Sequence, residues 1–219
     1  MRCYTVKKAS GPVPLIGDVE GTVWQQAEVV GVDNWPWYKS GDKQATEARV
    51  LWDDDAVYVQ FHCQDKHIYA GQTELNDNVY KDSCVEFFAN SSPDEGQEYF
   101  NFEANCCGTF HVGFGSGRHG RRLIDADVAK GIEVVTSVPG PTKDESPDDD
   151  GWWLAAKLPL RTLSEFTARP VCPHAGDRWR ANFYRIGGKT DVQHACWSRI
   201  DLPTADYHSP DFFGELLFA

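Results

Sequence analysis

Alternation of apolar and polar positions at a period of two runs through most of this chain, the pattern of strands buried on one face. It is clearest in Tyr80-Lys81-Asp82-Ser83-Cys84-Val85-Glu86-Phe87-Phe88 and in Glu98-Tyr99-Phe100-Asn101-Phe102-Glu103-Ala104-Asn105. Val85 and Phe87 share one face of the first run, and Cys84, Glu86 and Phe88 the other. In the second, Phe100 and Phe102 oppose Asn101 and Glu103. The turn-rich link Ser91 to Gly96 lets the two pair as an antiparallel hairpin, with acidic and amide groups gathered on one face.

Thr46 to Trp52 and Ala56 to Gln64 predict a second hairpin. Val57, Val59, Phe61 and Cys63 point inward, with Tyr58, Gln60 and His62 on the other side. Asp53-Asp54-Asp55 between them reads as a turn whose carboxylates bond their own backbone, in preference to a metal site. Further strands are predicted over residues 4–8, 109–114, 132–138, 152–159, 178–186, 194–200 and 215–218. Within 178–186, Trp179, Ala181 and Phe183 share one face, and Arg180, Asn182 and Tyr184 the other. Arg161 to Phe166 is the one plausible helix. About ten antiparallel strands with one short helix predict an all-β sandwich, in a single domain spanning 1–219.

The remaining segments read as loops. Asp18 to Ala27, with Trp24, is expected to lie across a sheet edge. Asn34-Trp35-Pro36-Trp37-Tyr38 either caps the core or lines a ligand site. Gly113, Gly115, Gly117 and Gly120 alternate with Arg118, Arg121 and Arg122, but no helix follows to complete a phosphate cradle, so a flexible hairpin tip is expected. Residues 139–151 form a solvated loop; calcium at Asp148, Asp149 and Asp150 is conceivable, although EF-hand spacing is absent.

Composition narrows the function. A net charge of −12, from 21 basic and 33 acidic residues, argues against nucleic acid or an anionic membrane as partner. No apolar run is long enough to span a bilayer, and the first eight residues lack a signal peptide's apolar core. Seven cysteines are an odd number; Cys63 and Cys84 fall inside strand patterns and read as buried free thiols, which suggests a cytoplasmic setting. Cys106-Cys107 with His111 lack zinc-site spacing. Eight tryptophans suggest recognition of flat apolar ligands.

The ordered motifs resemble the family 9 carbohydrate-binding modules: DVEGTVW at 18–24, TEARVLWDDDAVY at 46–58, DSCVEFF at 82–88, Trp197-Ser198, and HSPDFFGELLF at 208–218. Residues 80–108 and Asn182 to Arg185 (NFYR) are similar to stand-alone, family-9-like bacterial proteins. The resemblance implies a β-sandwich that binds sugar between two stacked tryptophans, structural calcium, and a secreted precedent. A sugar-bonding carboxylate would fall on Glu86. One clamp tryptophan falls on Tyr207 and the other on Val79, beside Tyr80. The family's sugar-binding arginine falls on Asn101, and an asparagine on Thr204.

A pyranose has an apolar C–H face and a ring of hydroxyls. Tyr80 and Tyr207 suit the face; Glu86, Asn101, Glu103, Arg180 and Asn182 suit the hydroxyls. Non-catalytic carbohydrate binding is therefore expected, unless Glu86 and Arg180 simply pair as a sheet-face salt bridge. Two alternatives are a glycosidase using Glu86 and Glu103 and a haem-binding sandwich. Met1 is the sole methionine, so haem would rely on His62, His111, His194 or His208.

Overall fold

A computed structural model describes all 219 residues. Thirteen strands carry the fold: β1 (Cys3–Lys8), β2 (Val30–Gly31), β3 (Thr46–Trp52), β4 (Ala56–Gln64), β5 (Cys84–Asn90), β6 (Tyr99–Asn105), β7 (Phe110–Gly115), β8 (Arg122–Leu123), β9 (Glu133–Thr136), β10 (Gly151–Pro159), β11 (Arg178–Ile186), β12 (His194–Cys196) and β13 (Gly214–Phe218). Two helices accompany them, a single turn α1 (Ala126–Ala129) and α2 (Leu160–Thr167).

The strands form two layers joined through β1. One layer runs β8-β7-β6-β5-β11-β13-β1, the other β1-β3-β4-β10-β9, with β12 paired to β11 and β2 to β3. β1 changes layer along its length: Cys3–Val6 pair with Glu215–Phe218, and Lys7–Lys8 with Leu51–Trp52. Both of these pairings are parallel, in a fold otherwise antiparallel as expected. The two-residue strands β2 and β8 lay outside the sequence expectation because two residues carry no periodicity.

The alternation seen in sequence sorts the side chains. Val57, Val59, Phe61 and Cys63 join Val85, Phe87, Phe100, Phe102 and Phe183 in one core between the layers. Trp24 and Ala27 lie across the outer face of β3 and β4, against Leu51 and Tyr58, and not at a sheet edge. The apolar Leu51 on that outer face requires a cover, and the Trp24 indole supplies it, held by a 2.9 Å bond from Nε1 to the Pro14 carbonyl. The outer face of the β5–β6–β11 layer carries a further apolar cluster, including Phe88, Tyr99, Tyr184, Tyr207 and Phe213. Burial on that face extends to Glu86, Asn101 and Glu103, all polar. A sheet face that buries carboxylates beside aromatics is where a site is built.

All seven cysteines are free thiols; Cys63, Cys84, Cys106 and Cys196 are buried, Cys3 and Cys172 exposed. Asp53 accepts backbone N–H bonds from Asp55 and Ala56, the turn chemistry expected of it. No helix is long and apolar enough to cross a membrane.

Candidate functional site

Register places four side chains in one row across the outer face. Tyr184 of β11 stands opposite Glu86 of β5, Glu86 opposite Glu103 of β6, and Glu103 opposite His111 of β7. Glu86, Glu103 and His111 of this row form the floor of a cleft of about 560 Å³, and Tyr184 lies beneath Tyr207. The turn Val79–Lys81 puts Tyr80, 46% exposed, on the rim. Residues 116–121 form another wall and residues 205–208 a third, while His194 closes the floor from β12.

Both carboxyls are nearly sealed from solvent, yet their surroundings differ. Glu103 accepts a 2.7 Å bond from Asn101 Nδ2. The Glu86 carboxyl has no hydrogen-bond donor in the protein although only 2% of the residue is exposed. Burial drives the Glu86 carboxyl well above the usual carboxylate range, and the adjacent Glu103 drives it further; Arg118 opposes the shift. Burial also raises Glu103, against the pull of His111, the Asn101 bond and the two arginines of the wall. Two carboxyls on opposed positions of an antiparallel pair cannot both ionise cheaply, so the pair gives up its last proton only above the ordinary carboxylate range.

The wall at 116–121 is built around Arg121. Its guanidinium bonds Asn101 Oδ1 and the carbonyls of Tyr99, Gly113, Gly115 and Gly117, and lies 4.4 Å from the centre of the Tyr99 ring. Gly113 makes this possible: a Cβ there would stand 2.7 Å from Asn101 Oδ1 and 3.0 Å from Arg121 Nε. Arg118 Nη2 meets Asp206 Oδ1 at 2.8 Å and links this wall to the 205–208 wall. The segment expected as a flexible tip is thus pinned down as one side of the cleft.

Tyr207 lies flat on Tyr184, centroids 4.0 Å apart and planes 11° from parallel. Its hydroxyl donates toward the carbonyls of Arg185 and Ala195, both at 3.1 Å, and Tyr184 Oη bonds the Tyr207 carbonyl at 3.0 Å. Beside it, one ring nitrogen of His208 meets the Tyr99 hydroxyl at 2.9 Å. Burial, assisted by Arg121 and Arg118, lowers His208 to about 3, so the ring is neutral.

Of the residues singled out from sequence, Glu86, Glu103, Tyr80 and Tyr207 line the cleft. Asn101 lies behind its wall, bridging Glu103 and Arg121. Arg180 and Asn182 do not reach the cleft. Arg180 donates to the Phe213 carbonyl, so no Glu86–Arg180 ion pair forms. Asn182 is spent on the backbone of Ser198, accepting at 2.8 Å and donating at 2.9 Å. Strand alternation puts both on the outer face, but the segment between β12 and β13 covers that part of it. Val79 is fully buried, which leaves Tyr80 on the rim.

Sequence reading did not assign Arg118, His119 or Arg121 to the site. His111, His194 and His208 line the cleft too, whereas His62 lies apart from it, on β4 in the other layer. The strand alternation that placed Glu103 also places His111 opposite it, so that signal was available. The arginine-rich loop carries no periodicity.

Asp148, Asp149 and Asp150, suggested for calcium, do not converge as a group of three side chains. Asp149 Oδ2 accepts the N–H groups of Ile68 and Ser146, closing its own loop. No three His, Cys, Asp or Glu side chains converge elsewhere as a metal site.

The model of carbohydrate-binding family 9 matches residues 17–218. The chain belongs to this family. Among solved structures, this family 9 chain is similar to a candidate carbohydrate-binding protein from Bacteroides uniformis, with TM-score 0.87 and 24% identity over 100% of this chain and 99% of that one. It is also similar to a family 9 module from Caldicellulosiruptor kristjanssonii in complex with cellotriose, TM-score 0.67 and 16% identity over 99% and 93% of the two chains. The glucose complex of a family 9 module from the same organism gives TM-score 0.66 and 17% identity, covering 100% and 96%. At these identities the structures speak for the family 9 fold. A comparison with curated proteins finds no match.

Proposed function

We propose that this family 9 chain binds a saccharide, without catalysing its conversion, in the cleft over Glu86 and Glu103. The observation that carries this reading is the Glu86 carboxyl, buried to 2% exposure, without a protein donor, and lining the cleft. The Glu86 carboxyl opens into the cleft without a protein donor, so sugar hydroxyls can supply the donors it lacks. With a proton retained on the pair, the two carboxyls offer both donor and acceptor sites to vicinal hydroxyls. Tyr80 on the rim and Tyr207 on its Tyr184 base supply apolar walls for the C–H faces of a pyranose. The glucose and cellotriose complexes of the similar modules support this ligand class.

Isothermal titration against a panel of mono- and oligosaccharides tests the proposal. The wild type is expected to bind at micromolar to millimolar Kd, and Glu86→Ala to weaken binding by about 10- to 100-fold, the equivalent of a hydrogen bond to a charged group. Tyr80→Ala is expected to weaken it by several-fold. A folded protein that binds no saccharide overturns the reading. Release of chromophore from an aryl glycoside, lost in Glu86→Gln, would replace it with a glycosidase.

A further inference from the structure

The floor of the cleft brings two carboxyls together and gives neither of them a cation. Glu86 and Glu103 occupy directly opposed positions of β5 and β6, which sets their Cβ atoms about 5 Å apart. One small group held between them touches both. Glu86 is 2% exposed and has no donor in the protein, and its carboxyl opens into the cleft. A buried carboxylate is ordinarily matched by a positive partner, because desolvation of an unpaired charge is costly.

The cations around the pair are engaged elsewhere. Arg118 meets Asp206 at 2.8 Å. Arg121 is spread over Asn101 and the carbonyls of Tyr99, Gly113, Gly115 and Gly117. His111, opposite Glu103, sets its Nδ1 3.1 Å from the Asn76 carbonyl. Burial lowers His194 and brings His208 to about 3, which favours neutral rings, and His119 is exposed on the 116–121 wall. Burial also keeps the Cys84 thiol and the Tyr184 and Tyr207 hydroxyls, the other titratable groups near Glu86, in their neutral forms. Acting without contact, the two arginines do not offset desolvation: both carboxyls stay above the ordinary range.

A metal ion is poorly served here, since no third His, Cys, Asp or Glu side chain converges with the pair. An organic ammonium suits it better. It carries one positive charge and three N–H donors on a single atom, and its hydrogen bonds to carboxylates are stronger than those of a neutral hydroxyl.

We propose that the cleft selects amino sugars, with the free ammonium of a hexosamine seated between Glu86 and Glu103 as the positive charge that the cleft floor lacks. The inference rests on the saccharide-binding reading and adds to it the class of sugar. On binding, the last proton of the carboxyl pair leaves to solvent and the ammonium takes its place; no covalent bond to carbon changes. A neutral hexose has no charge to offer and leaves that proton where it is.

Isothermal titration with glucosamine, galactosamine and mannosamine, each beside its parent hexose and its N-acetyl derivative, tests this. At pH 6 the best-bound hexosamine is expected to exceed its parent hexose by about tenfold or more, the scale of a charged hydrogen bond set against a neutral one. Acetylation removes the charge and should abolish the gain. From pH 5 to pH 7 the hexosamine should tighten by about tenfold, because its binding releases a proton, whereas the neutral hexose should not tighten. Titration in buffers of different ionisation enthalpy reads that release directly, up to one proton per sugar. Glu86→Gln keeps the shape of the side chain without its charge, and should bring the hexosamine to within about twofold of its parent hexose. The wild-type comparisons and the proton count decide alone if that variant fails to fold. A hexosamine bound no tighter than its neutral counterparts, binding that releases no proton, or a preference unchanged in Glu86→Gln overturns the inference and leaves saccharide binding standing. Tighter binding of glucuronic acid than of glucosamine also overturns it, in favour of Arg118 as the selecting group. A folded wild type that binds none of these sugars overturns both readings.

Discussion

Replacing Glu86 by glutamine should make this protein more stable at alkaline pH while weakening its ligand site. Glu86 and Glu103 occupy directly opposed positions of β5 and β6, so their Cβ atoms lie roughly 5 Å apart. Two unit charges at about that distance, in an effective dielectric of about 20, repel by roughly 3 kcal/mol. Burial adds to this and raises both carboxyls above the ordinary value of 4.5. The native pair therefore keeps a proton that the unfolded chain releases. Where the native state binds more protons than the unfolded state, stability falls as pH rises. The fall begins near the unfolded carboxylate range, continues through the raised native range, and reaches at most about 1.4 kcal/mol per pH unit for one proton. Glutamine keeps the shape of Glu86, cannot ionise, and offers its amide N–H to Glu103. Urea unfolding from pH 4.5 to 8.5 should show Glu86→Gln gaining on the wild type as pH rises, reaching about 1–3 kcal/mol at pH 8. His208 titrates equally in both proteins and cancels in the difference. Parallel stability curves, or a variant less stable than wild type at pH 8, would refute the shared proton.

Other consequences concern the supports of the site. Tyr207→Phe removes a hydroxyl that serves two backbone carbonyls; a stability loss of about 0.5–1.5 kcal/mol is expected, with saccharide affinity nearly unchanged because the ring remains. Asp65 pairs with Arg185 in the interior and accepts from Trp152 Nε1. Asp65→Ala should cost about 3–5 kcal/mol by stranding a buried guanidinium, measured by denaturant unfolding at neutral pH. His208 is held neutral down to about pH 3 from an ordinary value of 6.5. Its contribution to stability is complete above pH 6.5 and is lost as pH falls toward 3, so His208→Asn should flatten that acid limb of the unfolding curve.

Most of the fold was legible because period-two alternation reports burial, and burial is what orders a sandwich. Val57, Val59 and Phe61, or Val85 and Phe87, could be assigned to the core from spacing alone. The same rule put Glu86 and Glu103 together on the outer face. It failed for Arg180 and Asn182, since alternation gives a face and says nothing of what covers it; the loops after β12 and before β13 do so, and occupy both side chains with backbone partners. It failed also for the wall at 116–121. Arg121 is ordered there by the nearby carbonyls of Gly113, Gly115 and Gly117 and by Asn101 and Tyr99 some twenty residues away; main-chain carbonyls belong to every residue and leave no pattern in the sequence. The change of layer by β1 was illegible for a related reason: parallel pairing with β13 joins the two ends of the chain.

The most direct test of the central claim is a crystal structure of this protein soaked with the tightest-binding saccharide of the titration panel. The account predicts a pyranose between Tyr80 and Tyr207, with at least one hydroxyl within hydrogen-bonding distance of the Glu86 carboxyl. A saccharide bound elsewhere on the molecule, with Glu86 still without a partner, would contradict it.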